Sequence, residues 1–137
     1  MVIQIILDTN FILTCVKQKI QMFEQLDELF GFRAYEPVVG KQIFDELNKL
    51  KNKGELKIRE RESASVSLKL LKNKGVKFKL IDFNSPSVDT GIAFYTAKNG
   101  QIIVATLDRE LKKRILKENK KVKFLTIRQK KRIMLTN

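Results

Sequence analysis

Short runs of β-branched and apolar residues alternate along this chain with longer stretches of helical period, and that alternation limits the fold more than any other feature. It predicts parallel strands joined by right-handed helical crossovers, an α/β domain. Five strands are expected, at residues 2–7, 33–36, 77–82, 101–106 and 122–126. Between them the period predicts a helix from Thr9 that breaks near Lys17, then Gln21–Phe30, Pro37–Leu50, Glu55–Asn73, Pro86–Lys98 and Arg109–Glu118. Gly31, Gly54, Gly75 and Gly100 stand where helices should stop, and Pro37 and Pro86 where they should begin. A length of 137 residues suits one such domain. The expected division is a folded unit over 1–127 and a short basic tail over 128–137.

Residue types exclude several chemistries. The chain has no histidine and a single cysteine, so zinc fingers, Ser-His-Asp triads and Cys-His dyads are ruled out. That cysteine, Cys15, lies among Phe11, Ile12, Leu13 and Val16 and reads as a small buried thiol. Catalysis would have to come from carboxylates, hydroxyls, lysines or a metal. Six apolar residues before Asp8 are too few for a signal peptide or a membrane span, so a soluble cytoplasmic protein is expected. The 28 Lys and Arg against 15 Asp and Glu give a net charge of +13, which favours polyanions, nucleic acid first. The cations are spread over the chain instead of lining one helix face, which disfavours a membrane surface.

Four acids stand out by position. Asp8 follows a buried-type strand and opens a helix, placing it at the carboxyl end of the first strand, where open α/β sheets bind ligands. Asp108 repeats that placement after Ile102-Ile103-Val104-Ala105. Glu46 falls at the border of the apolar stripe carrying Val39, Ile43 and Leu50, whereas its neighbour Asp45 points to solvent. Asp89 sits on the wheel between Ile92 and Ala93 and over Thr96, and is expected to face inward. Each has a plainer reading: Asp8 and Asp108 as helix N-caps, Asp89 as a first-turn acid. One shared site accounts for all four. No basic residue is pinned beside them by sequence, so a hard divalent cation, Mg²⁺ or Mn²⁺, is the expected partner, suited to phosphodiester hydrolysis.

The segments Leu7-Asp8-Thr9-Asn10, Glu46-Leu47-Asn48-Lys49-Leu50, Val88-Asp89-Thr90-Gly91-Ile92 and Thr106-Leu107-Asp108-Arg109-Glu110-Leu111 resemble, in that order, those of the PIN-domain nucleases. The resemblance runs over essentially the whole chain. It implies a three-layer sandwich with a central five-stranded parallel sheet of order 3-2-1-4-5, and a metal-binding acidic pocket that cleaves RNA. It also implies that Asp8, Glu46, Asp89 and Asp108 are the catalytic, metal-holding acids. Asn10 and Thr106 are either contacts around the metal or turn and cap hydrogen-bonding residues. Many members carry a second acid where this chain has Thr90, and often a polar residue where it has Leu107, which points to one firmly held metal.

RNA contacts are expected from Arg109, Lys112 and Lys113 and from the terminal run Arg128, Lys130, Lys131 and Arg132, which otherwise reads as a solvated tail. Two branches of the family compete as models. One matures ribosomal RNA, towards which the +13 charge leans, with a ribosomal precursor as partner; the other comprises VapC-type toxins held by a small antitoxin. Relatives often dimerise, so a homodimer is a candidate assembly. A non-catalytic RNA-binding module is the alternative class and predicts damaged acids. A receiver domain would need paired acids after the first strand, where this chain has Thr9-Asn10.

Overall fold

The computed structural model describes residues 2–31, 33–98, 101–128 and 131–136. In chain order the elements are β1 (Ile3–Leu7), α1 (Thr9–Lys17), α2 (Met22–Phe30), β2 (Tyr35–Gly40), α3 (Lys41–Asn52), α4 (Ile58–Leu71), β3 (Lys79–Ile81), α5 (Val88–Lys98), β4 (Ile102–Ala105), α6 (Arg109–Glu118), β5 (Lys123–Arg128) and β6 (Arg132–Thr136). The strands form one sheet of order β3-β2-β1-β4-β5-β6, parallel throughout except for the antiparallel β5–β6 pair. The expected α/β fold and the order 3-2-1-4-5 are therefore present, with a sixth strand added.

That sixth strand lies in the segment expected to be a basic tail. Ile133 is buried, and Ile133↔Ile127 and Leu135↔Leu125 are in register with β5. Gln25 anchors the return, its side-chain oxygen accepting from Ile133 N at 2.8 Å. The alternation Ile133-Met134-Leu135 in a short segment is a weak strand signal, and it becomes a strand because β5 offers an open edge.

The second strand is also longer and later than expected. Pro37, read from sequence as a helix start, lies inside β2 opposite Ile5. Pairing of β2 with β3 begins only at Val38, so the β3 flank of β2 is open at Pro37 and can accept a residue without an N–H. The helix consequently begins at Lys41. Elsewhere α1 breaks at Lys17, α2 ends at Phe30 with Gly31 at φ +57°, and α6 spans Arg109–Glu118 as the period predicts. The expected stop at Gly100 lies outside the described residues.

The core follows the buried strands: Ile5, Ile6, Leu7, Val38, Val39, Val104 and Ala105 are fully enclosed, covered by Phe11 and Ile12 of α1, Ile43 and Leu47 of α3 and Ile92 of α5. Each large side chain so buried contributes roughly 1.5–3 kcal/mol. Cys15 is among them, its thiol pushed up to about 12 by burial, as befits an inert filler. A salt bridge of 2.6 Å from Lys17 Nζ to Glu60 Oε2 ties α1 to α4. Among the described residues no helix is long and apolar enough to cross a membrane.

Candidate active site

Parallel pairing sets Leu7 against Ala105, so the chain leaves β1 and β4 side by side at the carboxyl edge of the sheet. Asp8 N donates to Ala105 O at 3.0 Å, the last rung of that ladder. There the buried Asp8 carboxylate accepts from Thr9 N through Oδ1 (2.9 Å) and from Thr106 Oγ1 through Oδ2 (2.7 Å). The Thr106 hydroxyl in turn accepts from Asp108 N at 3.1 Å, which leaves its proton to Asp8. Thr106 thus makes the turn hydrogen bond expected of it and also holds the Asp8 carboxylate. Asn10 is exposed in the first turn of α1.

Asp108 is the N-cap of α6, its Oδ1 accepting from Glu110 N at 2.9 Å and from Leu111 N at 3.1 Å. The capping reading is therefore correct for this residue, as it is for Asp8 at the head of α1, and it fixes where the carboxylate stands. Glu46 on α3 is half-buried and Asp45 is exposed, in keeping with their helical phases. Both line a cleft of about 430 Å³ with Gln42, Lys49 and Pro86. Asp89 departs from expectation: on the first turn of α5 it is exposed at the mouth of the site, while Val88 and Gly91 take the buried positions of that turn.

Electrostatics tie the acids together. The Asp8 carboxyl is raised to about 6, first by burial, then by the charges of Asp89 and Glu46, against the lowering effect of its Thr106 and Thr9 hydrogen bonds. Asp89 is raised by partial burial and by Asp108. The charges of Asp89 and Glu46 thus act on Asp8, and that of Asp108 on Asp89. Among the described residues no three acids close on one point tightly enough to hold a metal. Like charges so placed oppose closer approach until a cation stands between them. The donor set nevertheless suits a hard divalent cation, being all oxygen, with the buried Thr9 hydroxyl lacking a hydrogen-bond partner beside Asp8.

Two basic features border the acids. Lys112 is depressed by partial burial and by the charges of Arg109 and Arg128, which places these three at the same sheet edge, and its ammonium lies 5.9 Å from the Phe124 ring centroid. Lys113 pairs with Glu110 at 3.7 Å, and Lys131 and Arg132 are exposed at the β5–β6 return. Lys130 lies outside the described residues. The second feature escaped the sequence: Arg114 reaches from α6 to α5, its Nη1 donating to Thr90 Oγ1 at 3.1 Å, and its charge lowers Asp89. The acids are not without a cation after all. Arg114 stands six positions after the Asp108 cap on the same helix, but its crossing to α5 leaves no local signal in the sequence. At the opposite edge of the sheet, Arg33, Lys121 and Lys123 line a separate cleft with Ile102 and Leu135.

The sequence and fold have known counterparts. A family model described as a PIN like domain matches residues 5–130. Ribonuclease VapC4 of Methanocaldococcus jannaschii is 31% identical over 128 residues, covering 93% of this chain and 92% of its own. The solved structure of the PIN domain endonuclease Utp24 superposes with a TM-score of 0.73 at 29% identity, over 95% of this chain and 90% of that one. With a family model matching most of its length and a ribonuclease 31% identical over 93% of it, the chain belongs to the PIN-domain family.

Proposed function

We propose that this protein is a divalent-metal-dependent endoribonuclease in which Asp8, Glu46, Asp89 and Asp108 hold Mg²⁺ or Mn²⁺. The observation that carries the reading is the electrostatic coupling of Asp8, a buried carboxylate further raised by Asp89 and Glu46. Burying a charge among like charges is costly and has a use where a cation is to be bound. Bound there, the cation supplies Lewis-acid polarisation of a phosphodiester and a water nucleophile at neutral pH. The protein's own part is to position: Thr9 N and Thr106 fix the rotamer of Asp8, the N-terminus of α6 fixes Asp108, and the Arg109, Lys112 and Arg128 cluster offers phosphate contacts along the same edge.

The similarity to ribonuclease VapC4 and to the endonuclease Utp24 supports RNA as substrate. The net charge of +13 favours a large structured RNA such as a ribosomal precursor. The 31% identity to VapC4 favours a toxin held by a small antitoxin, which would copurify with the protein expressed from its native locus. Incubation of wild type, Asp8→Asn and Asp89→Asn with labelled RNA in Mg²⁺, Mn²⁺ or EDTA tests the activity. Wild type should cut only with metal, and each variant should lose at least about 100-fold, beyond what disturbing a ligand's partner costs. Cleavage that persists in EDTA, or equal activity in the variants, would overturn the proposal. Wild type that binds RNA without cutting it would make the protein a binding module.

A further inference from the structure

We infer that Arg114 is a substrate-binding residue that grips a phosphate of the RNA at the mouth of the acidic site. The inference rests on the reading of that site as a phosphodiester-cleaving centre. Arg114 projects from α6 across to the first turn of α5, where its Nη1 donates to the neutral hydroxyl of Thr90 at 3.1 Å. Among the described residues, ion pairs join Lys17 to Glu60 and Lys113 to Glu110, and Arg114 is in neither. Its charge acts on Asp89, in the same turn as Thr90, without a carboxylate closing on it. One of its five N–H donors is thus tied to an uncharged partner, and the side chain is exposed.

This disposition suits a phosphate better than it suits charge neutralisation alone. A guanidinium placed to neutralise acids would take a bidentate carboxylate, the strongest partner within its reach. Here the residue next to Asp89 is a threonine, so Arg114 is oriented by a hydroxyl and keeps the rest of its planar fork for an incoming anion. The acids beside it call for a cation, and a diester bound there leaves an adjacent phosphate to be matched by a fixed positive group. Arg114 is the group bonded to the α5 turn that carries Asp89.

The test compares wild type, Arg114→Ala, Arg114→Lys and Thr90→Val for affinity to a short single-stranded RNA in Ca²⁺ across a salt titration, and for cleavage in Mg²⁺. Arg114→Ala should weaken binding about tenfold, as expected for charged hydrogen bonds. It should raise KM in step and flatten the slope of log affinity against log salt by about 0.7, the share of one phosphate contact on a single strand. Arg114→Lys should keep the slope and recover only part of the affinity, and Thr90→Val should lose less than either. Melting temperatures should match wild type, and should Arg114→Ala unfold, Arg114→Lys decides. Wild-type affinity and slope in Arg114→Ala, or a fall in kcat with affinity and KM unmoved, overturns the assignment. If binding depends on Arg114 but wild type does not cut, the nuclease reading falls and the phosphate contact stands.

Discussion

Asp8 shows how much one residue's surroundings decide. From sequence it is an acid after a strand; in the fold it is a buried carboxylate with two hydrogen-bond donors and two like charges near it, raised from 3.8 to about 6. The folded state holds the proton more tightly than the unfolded state, so without metal this residue favours folding at acid pH. Its ionisation in the fold then costs up to about 3 kcal/mol as pH rises from about 4 through about 6. In EDTA the stability of wild type relative to Asp8→Asn should therefore fall over that window, leaving the variant more stable at neutral pH. Adding Mg²⁺ should restore wild type and leave the variant unmoved. Urea unfolding at several pH values measures the difference, and a difference that stays flat with pH would count against the buried, charge-crowded state of Asp8. Helical phase separated Glu46 from Asp45, but the exposure of Asp89 and the reach of Arg114 depend on how α5 and α6 sit against each other, which no local pattern encodes.

At the scale of elements, the helices that carry Glu46 and Asp89 are spaced by a packing device with no sequence signature. Phe83, buried in the β3–α5 connection, fills the space over two glycines: a Cβ at Gly40 would lie 2.1 Å from Phe83 Cε2, and one at Gly91 would lie 2.3 Å from Phe83 Cβ. Gly40 is the last residue of β2 and N-cap of α3, and Gly91 belongs to the first turn of α5, so the ring sets how closely the Glu46 helix approaches the Asp89 helix. Gly91→Ala meets the base of the side chain, which cannot rotate away, and should cost about 1–3 kcal/mol as overpacking. It should also weaken Mg²⁺ binding by shifting Asp89. Denaturant unfolding alongside calorimetric metal titration checks both, and wild-type values in both would show that the contact is not what sets the helix spacing.

Over the whole molecule, basic side chains flank the acidic site. Arg109, Lys112 and Arg128 share the sheet edge with the acids, and Lys131 and Arg132 extend it at the β5–β6 return. An RNA following that edge would displace counterions along the way, so affinity should fall steeply and linearly in log salt, with several phosphates neutralised. A fluorescence anisotropy titration from low to high salt reads the slope, and a flat line would argue against a polyanionic substrate. The sixth strand belongs to this scale too. By covering the open edge of β5 it holds the basic return in place, where a frayed tail would have left those cations mobile.

Local order in the chain settled the fold class, most helix spans and the buried thiol, because hydrophobic period, caps and strand ends are written in neighbouring residues. Only the tertiary structure decided that Pro37 lies in a strand, that residues 132–136 complete the sheet, that Asp89 stands exposed and that Arg114 crosses to Thr90. Each of these turns on which edge is open or which helix lies within reach. Such facts arise between segments far apart in sequence, where burial and long-range pairing outweigh local preference.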